Sequence, residues 1–142
     1  MTAQTDTRAL TALRDIIADG REPSVRQIDD AFEGKGYPGI TPFLMWFGCI
    51  CRPGDDIRAM GAAKALHEAV LPGWVWLCRS GDDEDAKHNP PHGGPDRFLA
   101  NVWRANQQPN EGHLHCPEWA ANPARAWLLA ILSALIAEGE GA

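Results

Sequence analysis

Apolar residues recur every three to four positions at the start of the chain, where Leu10, Leu13, Ile16 and Ile17 fall on one face of DTRALTALRDIIADG. That spacing predicts an amphipathic helix, with Asp6 as N-cap and Gly20 past its end. The next segment, SVRQIDDAFEGKG, repeats the period through Val25, Ile28 and Phe32, takes Ser24 as its cap and stops at Gly34 and Gly36. Residues 40 to 51, ITPFLMWFGCIC, carry no polar side chain between Thr41 and Arg52. Periodicity alone does not separate a buried helix from a buried strand there; Thr41 followed by Pro42 suits an N-cap and first helical position, so a helix is expected.

The stretch DDIRAMGAAKALHEAVLPG has acidic residues in its first turn, Ile57, Met60, Ala63, Leu66 and Val70 on one face, and Pro72-Gly73 as a stop. It predicts a helix over about 55 to 71. Its alanines and Gly61 permit close approach, and a sheet is the expected neighbour. After Gly73 the period changes to two. WVWLCR (74 to 79), RFLANVWR (97 to 104) and GHLHCPEW (112 to 119) read as strands of an antiparallel meander, joined by a long loop, SGDDEDAKHNPPHGGPD, and a short one, ANQQPNE. The last element begins with Asn122 as cap and Pro123 as first helical residue and runs to Gly139. Trp127, Leu128, Ile131, Leu132 and Leu135 form its stripe and Ala126, Ala130, Ala134 and Ala137 a second flank, so it must lie against a sheet and another helix together.

These elements predict an α+β fold: an antiparallel sheet of about three strands packed with helices on one or both faces, a helix-sheet-helix sandwich. The core domain spans 55 to 142, and an N-terminal helical extension with its apolar connector spans 1 to 54, the two forming one compact unit. At 142 residues a single core is expected, and 44% hydrophobic against 23% charged residues argues against disorder. Thirteen basic and nineteen acidic residues leave a net charge of -6 with scattered arginines, which gives no footprint for a phosphate backbone. No nucleic acid is therefore expected; an acidic surface suits a basic host protein instead.

The four cysteines Cys49, Cys51, Cys78 and Cys116 read as reduced thiols in a cytoplasm, because a chain of this size forms a core without disulfides and MTAQTDTRAL has no apolar leader. The apolar runs at 40 to 51 and 126 to 137 fall short of the ~20 residues that span a bilayer, so no membrane is expected.

The phrases AAKALHEAVLPGWVW and NPARAWLLAILSALIAE, separated by the strands, resemble the small phage-encoded proteins grouped as a phage ABA-sandwich domain. The resemblance covers roughly residues 57 to 138. It implies a phage or prophage origin and a helix-sheet-helix core, and it carries over no activity and no functional residue.

Candidate chemistry starts with HLHC, where His113, His115 and Cys116 stand near His88 and His92 of the long loop. On a strand His113 and His115 share a face, and a third ligand from His88, His92 or Cys78 would complete a zinc site. The spacing matches no standard zinc signature, and Cys49-Ile50-Cys51 is not a CxxC pair, so no cofactor is expected and zinc is the one ion the cluster could take. Cys78 with His113 or His115 is a conceivable nucleophile and base, yet Cys78 follows an apolar run and reads as core. Asp82 to Asp85 reads as a solvated acidic run. No phosphate-binding or nucleophile-elbow motif occurs, and Gly93 and Gly94 read as turn residues.

Trp74 and Trp76 share a strand face, and Trp103 is expected to join them from the next strand. Core packing is the commoner fate of such rings; a stacking platform is the functional alternative. Arg79 and Arg104 end the same two strands and together would hold an anion. Phe43, Trp46 and Phe47 are the partner surface if the 40 to 51 segment is exposed, although burial is the commoner outcome. The functional expectation is a non-enzymatic phage or prophage accessory protein that binds a host protein or a small anionic ligand such as a signalling nucleotide, a mode that fits inhibition of host defence. The alternatives are a virion assembly protein that forms homo-oligomers through 40 to 51, and a metal-dependent enzyme.

Overall fold

The structure, a computed structural model, describes residues 7–32, 40–52, 54–88, 98–107 and 114–139, without the side chains of Ile40, Glu84 and His88. In chain order the described elements are α1 (Arg8–Ala18), α2 (Val25–Phe32), α3 (Ile40–Cys51), α4 (Asp56–Val70), β1 (Trp74–Ser80), α5 (Asp83–His88), β2 (Phe98–Arg104), β3 (Glu118–Ala120) and α6 (Pro123–Gly139). The α+β expectation is met: helices pack on a three-stranded antiparallel sheet of order β1-β2-β3.

Local chemistry accounts for most boundaries. At the end of α1, Gly20 takes φ 83°, its N–H donates to Ile17 O, and Arg21 N–H donates to Ile16 O. Those two bonds around a left-handed glycine close the last turn and satisfy carbonyls that the helix leaves open. Ser24 and Gln27 form a reciprocal cap on α2: Gln27 N–H donates to Ser24 Oγ at 3.2 Å and Ser24 N–H donates to Gln27 Oε1 at 2.7 Å. Asp55 Oδ1 accepts from the N–H groups of Ile57 and Arg58 to start α4, and Asn122 Oδ1 accepts from Arg125 N–H to start α6.

α6 is the centre of the molecule. It lies along one face of the sheet, against all three strands, and its other sides meet α1 and α4. Nearly every residue from Ala124 to Leu132 is buried, as its all-round apolar pattern required. α3 packs on α4, and α2 links α1 to α3. Leu10, Leu13, Ile17, Phe43 and Phe47 share one core with Leu66, Val102, Trp127 and Ile131, so the first 54 residues contribute to the same core as the rest.

Several expectations are corrected. The N-cap position of α1 is Thr7, whose side chain makes no capping bond; Asp6, Gly34 and Gly36 lie outside the described residues. α3 starts at Ile40, so Thr41 and Pro42 are already inside its first turn. Val25 and Ile57 were expected on buried faces but are 61% and 86% exposed, each standing in the first turn of its helix. α4 buries instead the row Ala59, Ala62, Ala63, Leu66, His67 and Val70, and it packs mainly on α3 and α6, touching the sheet through His67 at Trp74. Its small side chains allow close packing of two helices. Gly61 takes no part, since it is exposed and a side chain there would meet open space. The long loop contains α5, and β3 is shorter and later than expected: just ahead of it Cys116 N–H donates to the Asn101 side chain at 2.8 Å rather than to the main chain of β2.

Candidate functional site

Three elements converge on His67. The ring is 3% exposed on α4, Trp127 of α6 donates its Nε1–H to His67 Nδ1 at 3.2 Å, and His67 Nε2 lies 3.0 Å from the Trp74 carbonyl oxygen of β1. An Nδ1 that accepts has no proton, so Nε2 carries it and donates to Trp74 O; the two partners fix one neutral tautomer. Burial pushes the His67 pKa down, against the smaller opposing pull of the Trp74 carbonyl and the Glu68 carboxylate.

The same Trp127 ring stacks on Trp76, with centroids 4.0 Å apart and planes 26° from parallel. Trp76 remains 41% exposed, backed by a buried ring and open on its outer side. Trp74 is half-buried, with the Arg104 guanidinium 5.7 Å from its ring centre, and Arg104 is itself ion-paired with Glu138. Between the end of α4 and the start of β1 these rings border a cleft of about 300 Å³, lined by Lys64, His67, Glu68, Leu71, Pro72, Gly73, Trp74 and Trp76. Gly73 takes φ 82° and Trp74 N–H donates to Leu71 O, a tight turn that brings the strand's first ring beside the helix's last one. The size suits a small ligand, and one wall is aromatic with a lysine and a glutamate at the rim. A second cleft of about 350 Å³ between α3 and α4 has Arg52 and Arg58 at its edge but no aromatic wall, and Arg52 is paired with Glu22.

The antiparallel register separates residues expected to act together. Trp74 pairs with Arg104 and Val75 with Trp103, so Trp103 sits on the opposite face from Trp74 and Trp76. Arg79 pairs with Leu99, five residues along β1 from Trp74, which at roughly 3.4 Å per residue puts Arg79 and Arg104 at opposite ends of the strand pair. Each already has a carboxylate partner, Asp85 and Glu138 respectively. They do not form one anion site. Phe43 and Phe47, expected at a partner surface, are each 1% exposed; Phe43 stacks on Phe32, and Trp46 is half-buried edge-on to Phe43. Among the described side chains of that helix, Met45 is the exposed large apolar residue.

For the metal reading, His92 and His113 lie outside the described residues and the His88 side chain is not described. His115 is exposed and Cys116 half-buried; among the described residues no group of three or more His, Cys, Asp or Glu converges. Burial pushes the Cys51, Cys78 and Cys116 thiols up to about 11, and Cys78 donates to Pro123 O at 3.2 Å. Those thiols are protonated at neutral pH and are poor nucleophiles.

His67 is the residue that reading by motif missed. Its signal was positional: it stands four residues after Ala63 on the alanine row of α4, where a polar ring has to find partners inside the protein. Trp127 was read as core only, although its indole N–H also needed an acceptor. No family model, no curated protein and no solved structure matches the chain.

Proposed function

We propose that the protein is a non-catalytic binding protein, an accessory factor of a phage or prophage, whose cleft at Trp74 and Trp76 takes a small planar ligand carrying an anionic group. The observation that carries the reading is the exposed Trp76 ring, held in place by its stack on Trp127 and facing a cleft of about 300 Å³. A preorganised indole offers a stacking surface without a further loss of side-chain freedom, and stacking on such a ring is worth about 1–3 kcal/mol. Lys64 supplies the cation for the anionic group, in place of the Arg79 and Arg104 pair. The phage setting is supported by the likeness of the LPGW and NPARA phrases to phage ABA-sandwich proteins. The non-catalytic reading is supported by His67, whose two ring nitrogens are both engaged, and by the protonated thiols. Withholding a signalling nucleotide from the host would be the mode of action in this reading.

Tryptophan fluorescence reads the site directly. Titration with a panel of mono- and cyclic nucleotides is expected to quench emission and raise the melting temperature for at least one of them. Trp76→Ala should abolish the response and Lys64→Gln should weaken it. A panel that leaves both emission and melting temperature unchanged would falsify the reading.

A further inference from the structure

Among the described residues the sheet order leaves β1 and β3 as its two edges. β3 has three residues, and a short edge is one of the ways proteins avoid unwanted pairing. β1 has seven, WVWLCRS, with no proline, no lysine and an unbroken one-to-one register to β2. Its single charge, Arg79, is neutralised by Asp85. Val75 and Trp76 are 37% and 41% exposed on opposite faces of this edge. A long, regular strand of this kind is a template for another strand.

The hydrogen bonds at Trp74 fix which residues face outward. Its N–H goes to Leu71 O and its carbonyl accepts from His67, so neither points at β2. Main-chain groups alternate in direction along a strand, so those of Trp76, Cys78 and Ser80 also point away from β2. Among the described residues no main-chain group pairs with them, and Ser80 O receives only the Arg79 guanidinium.

We propose that β1 pairs antiparallel with β1 of a second copy of this chain, about a twofold axis at Cys78, joining two three-stranded sheets into one continuous sheet. This register sets Trp76 opposite Ser80 and Cys78 opposite itself, so outward groups meet outward groups and about six main-chain hydrogen bonds form. A strand can pair with itself across a twofold only if its hydrogen-bonding residues face each other, a condition this centre meets at all three positions. The Leu71–Gly73 turn already covers the outer side of Trp74. Centring on Cys78 places Trp74 opposite the partner's Asp82, beyond the end of that strand, and leaves both turns clear. Val75 falls opposite Gly81, where the ring of Trp119 occupies the space a side chain would take, giving Val75 an apolar contact. The one charge within the strand, Arg79, is neutralised by Asp85, which favours a second copy over a strongly charged partner strand. The proposal uses the main chain of Trp76, whereas the cleft reading uses its ring.

Light scattering over a dilution series is expected to give twice the 15.5 kDa chain mass, falling to one at high dilution. Cys78→Pro removes an amide that β2 does not use and should give a monomer with an unchanged far-ultraviolet spectrum. Leu77→Pro removes one that β2 does use and should lose the fold. In the wild type, hydrogen exchange at the Trp76, Cys78 and Ser80 amides should be slow in concentrated solution and fast when diluted. That arm decides the matter if Cys78→Pro fails to fold. A chain that is monomeric throughout the series overturns the proposal, as does a folded Cys78→Pro dimer, fast exchange at those amides in a dimer, or a monomer that captures an extended peptide on β1 instead.

Discussion

Two side chains from neighbouring turns of α6 tie the molecule together in opposite ways. Arg125 sends one guanidinium arm to Ile17 O at 2.9 Å and the other to Cys51 O at 3.0 Å, with Arg21 O at 3.4 Å. It sits where α1 and α3 both end, so a permanent cation meets two sets of unsatisfied carbonyls at the negative ends of two helices. Trp127, two residues on, donates to the buried neutral His67 and stacks on Trp76. The first tie is a half-buried cation on neutral carbonyls. The second is neutral, fully buried and bound to one protonation state. The difference follows from solvent: a charge survives at a half-buried helix end, whereas deep inside the core only a neutral ring with both nitrogens satisfied is stable.

The largest effect is expected at the neutral tie. Trp127→Ala opens a cavity under Trp76 and leaves His67 Nδ1 without a donor, and should cost about 3–5 kcal/mol in urea unfolding. It should also uncouple Trp76, seen as loss of its stacked near-ultraviolet signal; an unchanged signal would show that the stack does not depend on Trp127. Arg125→Ala should cost about 2–3 kcal/mol, since it orphans carbonyls of two helices at once. Arg125→Lys should recover only part, because an ammonium lacks the fork that reaches Ile17 O and Cys51 O together. Full recovery by lysine would mean that charge alone, rather than the two-armed geometry, makes the tie.

Asp55→Ala, which belongs to neither tie, should cost about 1 kcal/mol as an ordinary loss of a helix cap. The finest test is a slope. The folded-state pKa of His67 is lowered below 6.5, so the unfolded chain takes up its proton first as pH falls. The stability associated with the neutral ring is therefore complete above pH 6.5 and is lost progressively below it, toward the folded-state value. Asp85, held by Arg79 down to about 2, acts in a separate window between 3.8 and 2. His67→Phe should flatten the decline just below pH 6.5, and Arg125→Ala should leave it in place. Equal slopes in the wild type and His67→Phe would show that the neutral tie does not sense pH.

Much of this was legible in the chain. The periods of 3.6 and 2, the Asn122-Pro123 start, the acidic first turn at Asp55-Asp56 and Pro72-Gly73 as a stop indicated the order of helices and strands, because those signals act over a few residues. The strand segments and their antiparallel order were legible but their register was not: one residue of register decides whether Trp103 joins Trp76 or turns away, and no local feature encodes that offset. Arg79 and Arg104 were mispaired against the expected antiparallel order itself, since the C-terminal ends of two successive antiparallel strands lie at opposite ends of the pair. Asn101 was equally silent. It is fully buried on β2, its Oδ1 accepts from Cys116 N–H at 2.8 Å, and its Nδ2 finds no partner among the described residues.

The candidate cleft divides along the same line. The LPGW phrase determined by itself that a helix stops and a strand begins, because Pro72-Gly73 ends the period of 3.6 and alternation starts at Trp74. Whether those rings were core or platform was decided only when α6 crossed beneath them, putting Trp127 against one side of Trp76 and the indole N–H against His67. Local backbone preferences set where elements start and stop. Which side chains meet depends on packing between segments 60 residues apart, and that information resides in the fit of whole surfaces rather than in any single stretch of the chain.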